Sequence, residues 1–186
     1  MKKVVFLAMA VVFVASMAFA QAGSVGVFAD PMGLNCNLVD QAPMGLKQYM
    51  VVHVYTTGAT AVQYRAKVPV CMTATGAMWL SDTNMFAVAV GNSQIGIGIA
   101  YGSCKVGPIH TQIINVFAMG TTPACCRWIV DADPNVTSGK IEGSDCAFVV
   151  FNPTGGQAFI NPNLTCQCNV PAQDTTWGQV KSLYVE

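Results

Sequence analysis

Residues 61–68 read Ala-Val-Gln-Tyr-Arg-Ala-Lys-Val, and this octet decides the fold class. Val62, Tyr64, Ala66 and Val68 alternate with Gln63, Arg65 and Lys67, the period of two that sends successive side chains to opposite faces of a strand. One face is apolar and the other polar, so the segment predicts a half-buried strand. Upstream, Tyr49 to Thr56 is apolar on both faces and reads as a central strand. Thr57-Gly58-Ala59-Thr60 between them predicts a hairpin joining the two.

Outward from this pair, short Val-, Ile-, Tyr- and Phe-rich runs are divided by Gly, Pro, Asn and Asp. Strands are expected at Val25–Ala29, Ala77–Leu80, Phe86–Val90, Ile95–Tyr101, Ile109–Ala118, Arg127–Val130, Ala147–Phe151 and Gln157–Ile160. Within Ile95–Tyr101 the three isoleucines share a face with Tyr101, while Gly96, Gly98 and Ala100 line the other. A strand with so little side chain on one face admits close packing from another layer. Nine or ten strands at this spacing predict an all-β fold, a two-sheet antiparallel β-sandwich of the Ig-like or jelly-roll-like kind. A short C-terminal helix is expected too: Thr176 and Gln179 fit a capping box, and Trp177, Val180 and Tyr184 recur on one face beside Leu183.

Residues 1–20 read as a secretory signal peptide. Lys2 and Lys3 form the positive start, Val4 to Val14 the apolar stretch, and Ala18-Phe19-Ala20 the small-x-small cleavage signal. Residues 21–186 then form one domain, placed outside the cell, at its surface or in a periplasm, with no second stretch long and apolar enough to span a bilayer. Losing Lys2 and Lys3 leaves seven Lys and Arg against nine Asp and Glu, so no basic patch exists for nucleic acid. Charged residues make up only 10% of the chain against about 25% in an average soluble domain. Such a surface lacks charge repulsion between copies and suits adhesion or assembly.

All eight cysteines, Cys36, Cys71, Cys104, Cys125, Cys126, Cys146, Cys166 and Cys168, follow the export segment. An even count in an oxidising compartment points to as many as four disulfides. Adjacent Cys125 and Cys126 are expected to reach different partners. The pair 125/126 is expected to staple to 166/168, with Cys71 joining Cys104. A zinc site on Cys125, Cys126, Cys166 and Cys168 is the rival reading, and it lacks the usual C-x2-C spacing.

Chemistry is sparse. His53 lies inside an apolar strand and His110 opens another, the setting of packed rather than catalytic histidines. Gly91-Asn92-Ser93-Gln94-Ile95-Gly96 is one residue too long for a nucleophile elbow, and the glycines at 96, 98 and 102 miss the dinucleotide fingerprint. The best metal candidate is Asp131-x-Asp133-x-Asn135, followed by Thr137, Gly139 and Glu142, at the spacing of a calcium loop. Val136 stands where that loop needs glycine and Pro134 stiffens it, so a polar turn competes with calcium at Asp131, Asp133, Asn135 and Glu142. No other cofactor is indicated. The sequons at Asn135 and Asn163 bear on glycosylation only in a host that glycosylates them.

Six motifs carry a resemblance: G-A-T-A-V-Q at 58–63, W-L-S-D-T at 79–83, G-N-S-Q at 91–94, Y-G-S-C at 101–104, G-P-I-H at 107–110 and T-T-W-G-Q-V-K-S-L-Y at 175–184. Through them the chain resembles an uncharacterised group of exported proteins from Gram-negative and often uncultured bacteria, a group with no established activity. The strand order from Ala61 to Ala118 is distantly similar to cohesin-type sandwiches, which implies a non-catalytic adhesion or scaffold module. The leading expectation is therefore a non-enzymatic secreted or cell-surface β-sandwich that binds an extracellular ligand. Its alternative is a structural subunit that assembles with copies of itself in a surface layer or filament. A secreted hydrolase using Asp131 and Asp133 comes third.

Overall fold

The computed structural model describes residues 23–41, 44–54 and 56–168. Over these residues the chain is all-β, with one four-residue helix, and its strands form two five-stranded sheets and a three-stranded one. In chain order the strands are β1 (Ser24–Phe28), β2 (Asn37–Leu38), β3 (Gly45–Val54), β4 (Ala59–Tyr64), β5 (Met78–Asn84), β6 (Val88–Asn92) and β7 (Gly96–Lys105). They continue as β8 (Ile109–Ala118), β9 (Cys126–Ile129), β10 (Glu142–Ser144), β11 (Val150–Phe151), β12 (Thr154–Gly155) and β13 (Gln157–Ile160). The helix α1 (Val70–Thr73) lies between β4 and β5.

The first large sheet runs β12-β1-β3-β8-β5, the second β11-β10-β4-β7-β6, and the small sheet β2-β13-β9. Pairing is antiparallel except for β1 with β12 and β13 with β2. The expected sandwich is present, and the small sheet is an addition to it. Short β2, β10 and β12, each of two or three residues, carry too little pattern to be read from sequence.

The alternation at 61–68 predicts burial correctly to its last residue: Val62, Tyr64, Ala66 and Val68 are all buried. The ladder ends earlier, at Tyr64, and Arg65 makes only an isolated bridge to Asp131. The 57–60 segment is not a hairpin. β3 and β4 belong to different sheets, so this connection crosses between layers. Glycine at 58 is what lets the crossing run close to a cross-link, because a Cβ there would lie 2.6 Å from Cys146 Sγ. Turn residues announce that the chain turns, and they do not say which sheet it joins next.

Between the large sheets, Tyr64 of β4 places its hydroxyl 2.8 Å from Thr111 Oγ1, which in turn donates to the Val51 carbonyl at 3.0 Å. Thr111 is the extra residue at a bulge, since Val51 pairs with Gln112 and Val52 with His110. Trp128 is fully buried, meets Tyr49 edge-on at 5.0 Å and donates Nε1–H to the Ala66 carbonyl at 3.3 Å. His53 is buried too, its Nδ1 3.2 Å from the Tyr101 hydroxyl and its ring stacked on Phe151 at 6.0 Å. Burial drives the Tyr101 hydroxyl pKa well above its ordinary value, so it stays a neutral hydrogen-bonding group.

Four disulfides close the structure: Cys36–Cys168, Cys71–Cys126, Cys104–Cys146 and Cys125–Cys166, with Cα separations of 5.7, 5.9, 5.1 and 5.6 Å. Cys125 and Cys126 do diverge, and one predicted staple, Cys125 to Cys166, is present. Cys71 joins Cys126 rather than Cys104, and Cys168 joins Cys36. The cause is layering: Cys71 rides on α1 beside β9, whereas Cys104 ends β7 next to the β10–β11 turn. With every described cysteine in a disulfide, none is left as a zinc ligand. The Thr176 helix and the residues 1–20 export segment lie outside the described residues.

Candidate functional site

The registers of the second sheet place its outer face row by row. One row runs Val88, Ala100, Ala61, Ser144 and Val150, and the next Val90, Gly98, Gln63 and Glu142. A third begins with Asn92 and Gly96. The middle of the first two rows holds only glycine, alanine, serine and a flexible glutamine, and the flanks are Val88, Val90 and Val150, with Glu142 ending the second row. The result is a trough of about 570 Å³, floored by the small face of β7. No described segment packs on that floor, so the close approach predicted for Gly96, Gly98 and Ala100 is offered outward.

The two glycines do different work. Gly96 has φ of +124°, and a Cβ there would collide with the Asp133 carboxylate. Gly98 has no such constraint: a Cβ there meets nothing closer than the Gln63 side chain at 3.9 Å. The first glycine holds the end of the trough, and the second keeps its floor bare.

Asp133 closes that end. It is buried, and its Oδ1 accepts the Asn135 amide at 2.8 Å and the Asn135 side-chain Nδ2 at 2.9 Å, while Oδ2 accepts Gln63 Nε2 at 2.6 Å. Burial pushes its pKa up, but these hydrogen bonds, aided by the Arg65 charge, outweigh burial and hold the carboxyl below its ordinary 3.8. Asp133, Asn135 and Glu142 all line the trough, but Asp131 does not. It faces Arg65, with Oδ2 3.5 Å from Nη2. The 131–135 segment is thus built as a hydrogen-bonded turn. Among the described residues, no three His, Cys, Asp or Glu side chains gather as a metal-holding group.

The β6–β7 turn at this same end is held as firmly. Asp82 accepts the Ser93 amide at 2.6 Å, the Ser93 hydroxyl at 2.8 Å and Trp79 Nε1–H at 2.9 Å. Asn92 Oδ1 accepts the amides of Gln94 and Ile95, at 2.9 and 3.2 Å. The motifs W-L-S-D-T and G-N-S-Q are therefore one unit, a clamp on the β6–β7 turn. Ser93 is fully buried within it and is no exposed nucleophile.

No family model and no curated relative matches the chain. Among solved structures it is similar to a cohesin module from a family 33 glycoside hydrolase of Clostridium perfringens, at 8% identity and a TM-score of 0.47. That match covers 77% of this chain and 99% of the other. It is similar also to a non-cellulosomal cohesin from the hyperthermophilic archaeon Archaeoglobus fulgidus, at 12% identity and a TM-score of 0.45, covering 74% and 91%. The likeness is distant. At these identities no site residue carries over from either.

Sequence reading marked the bare face of β7 and three of the trough residues, Asp133, Asn135 and Glu142. It missed the walls, Val88, Val90 and Val150, because neighbours across a sheet become visible only once strand order is known. It also missed a buried knot. Asp40 accepts the Thr122 amide at 3.1 Å and the Thr122 hydroxyl, and its other oxygen accepts Asn161 Nδ2 at 2.5 Å.

Proposed function

We propose that the chain is an exported, non-catalytic β-sandwich whose trough on the outer face of the second sheet binds a partner molecule. The observation that carries this reading is the open small-residue floor of β7, walled by Val88 and Val90 on one side and by Val150 and Glu142 on the other. A sheet face normally covers such a floor or fills it with its own side chains. The walls here stay exposed, and the floor lacks large side chains. A preformed concave surface with a few fixed polar groups at one end is the usual form of a binding site. Four disulfides are chemistry of an oxidising compartment and support export.

The lining supports binding over catalysis. Asp133 is ionised and already saturated by Gln63 and Asn135, Asp131 is occupied by Arg65, and His53 is sealed in the core. Glu142 is then the one carboxylate of the lining left to face a ligand, and a hydrolase built on a carboxylate pair needs two.

An array of glycans and peptides probed with the disulfide-intact protein tests the reading. A saturable ligand that Gly98→Leu loses at least ten-fold in affinity supports it, and one that Gly98→Leu binds unchanged refutes it. The second reading, a subunit that assembles with itself, is supported by the exposed apolar hairpin tip around Phe148.

A further inference from the structure

We infer that the trough takes a primary alkylammonium ion, a free aliphatic chain longer than a lysine stem and ending in a protonated amine. This rests on the trough being the binding surface and names the class of ligand that fills it.

The lining excludes other classes by what it holds. Among its described residues no Lys, Arg or His is present to meet a phosphate or a carboxylate, while Asp133 and Glu142 both supply negative charge. The nearby cations are placed elsewhere: Arg65 faces Asp131, and Lys140 lies outside the lining. No Phe, Tyr or Trp lines the trough either, so a flat ring or a quaternary ammonium finds no aromatic face. What remains is aliphatic surface with a carboxylate at its edge.

Glu142 selects the head group. It is half-buried, and among the described residues its carboxylate has no hydrogen-bond or ion-pair partner. A neutral occupant would strip water from that charge and return nothing. The groups around it are acceptors too. Gln63, opposite Glu142 in register, gives Nε2–H to the ionised Asp133, which can only accept, and this leaves Gln63 Oε1 unpaired. Ser144 stands two residues along the same face of β10, its hydroxyl without a partner among the described residues. A primary ammonium brings three N–H donors to these three acceptors.

The walls select the stem. From β10 to β6 the trough crosses three strand spacings, about 14 Å. A lysine side chain, with its four-carbon stem, stops well short of the valines. A longer free chain runs from Glu142 across Ala61, Ala100 and Gly98 to Val88 and Val90, and each methylene it buries is worth about four-fold in affinity. The volume of about 570 Å³ is that of a small-molecule site.

Isothermal titration calorimetry on the disulfide-intact protein tests this. The separate probes are octylammonium, 1-octanol, octanoate, octyltrimethylammonium and butylammonium, all below micelle-forming concentration. Octylammonium should saturate one site and bind at least ten-fold tighter than every other probe. Glu142→Gln should bring octylammonium down to the affinity of 1-octanol, and Gly98→Leu should weaken it at least ten-fold. Ala100→Leu serves as a second trough-filling variant if Gly98→Leu does not fold. No saturable octylammonium binding, another probe that matches it, or an unchanged affinity in Glu142→Gln would each overturn the inference. A lysine-containing pentapeptide that matches octylammonium would overturn it as well, by making the ligand a polypeptide. Failure of octylammonium alongside an array ligand lost in Gly98→Leu defeats only the ligand class. Array-ligand binding unchanged in Gly98→Leu defeats the trough reading as well.

Discussion

Gly96 and Gly98 are two residues apart on one strand face, yet the structure assigns them opposite tolerances. Gly96→Ala must adopt φ of +124° and push into Asp133, and it should lower stability by about 2 kcal/mol in a urea titration. Gly98→Ala meets only ordinary contact and should stay within about 0.5 kcal/mol of wild type. Asp133 supplies a pH signature. Its carboxyl pKa is lowered in the folded state, so its contribution is fully present above the unfolded value near 3.8 and is lost as pH falls through the folded one. Acid unfolding of Asp133→Asn should show a shallower fall below about pH 4 than wild type. At this scale the sequence was legible where spacing is local. The period of two at 61–68 was readable because all its information sits in eight residues. The Asp40 knot was not, because Asp40 meets partners 82 and 121 positions away.

At the scale of elements, composition reveals strands better than partners. β13 lies at Gln157–Ile160 as expected, and β8 at Ile109–Ala118. Ala147–Phe151 is mostly turn. There Asp145 takes the amides that a longer strand would have paired, leaving only Val150–Phe151 in the ladder. The same turn carries the Cys104–Cys146 bridge, which no sequence spacing identified. Replacing both cysteines by serine should cost about 2–4 kcal/mol. It should also expose the tip to limited chymotrypsin digestion at Phe148 well before global unfolding. Resistance equal to wild type would show that the Asp145 cap alone holds the turn. Cys36–Cys168 closes the longest loop, 132 residues, and in the chain-entropy account it stabilises the fold most, by about 5 kcal/mol.

For the molecule as a whole, scarce charge and abundant cross-links belong to one design. Two sheets pack around Trp128, Tyr64 and His53, while the disulfides tie α1 and the flanking loops to the small sheet and the β10–β11 turn to β7. Sequence patterning reached the sandwich because alternation reports burial. It did not reach the trough, which exists only when β6, β7, β4 and β10 stand side by side. The most direct test of the central claim, a layered β-sandwich whose layering decides which cysteines meet, is non-reducing peptide mapping of the protein, with fragmentation between Cys125 and Cys126. The structure predicts Cys36–Cys168, Cys71–Cys126, Cys104–Cys146 and Cys125–Cys166. Recovery of Cys71–Cys104, of Cys126–Cys168 or of mostly free thiols would contradict it.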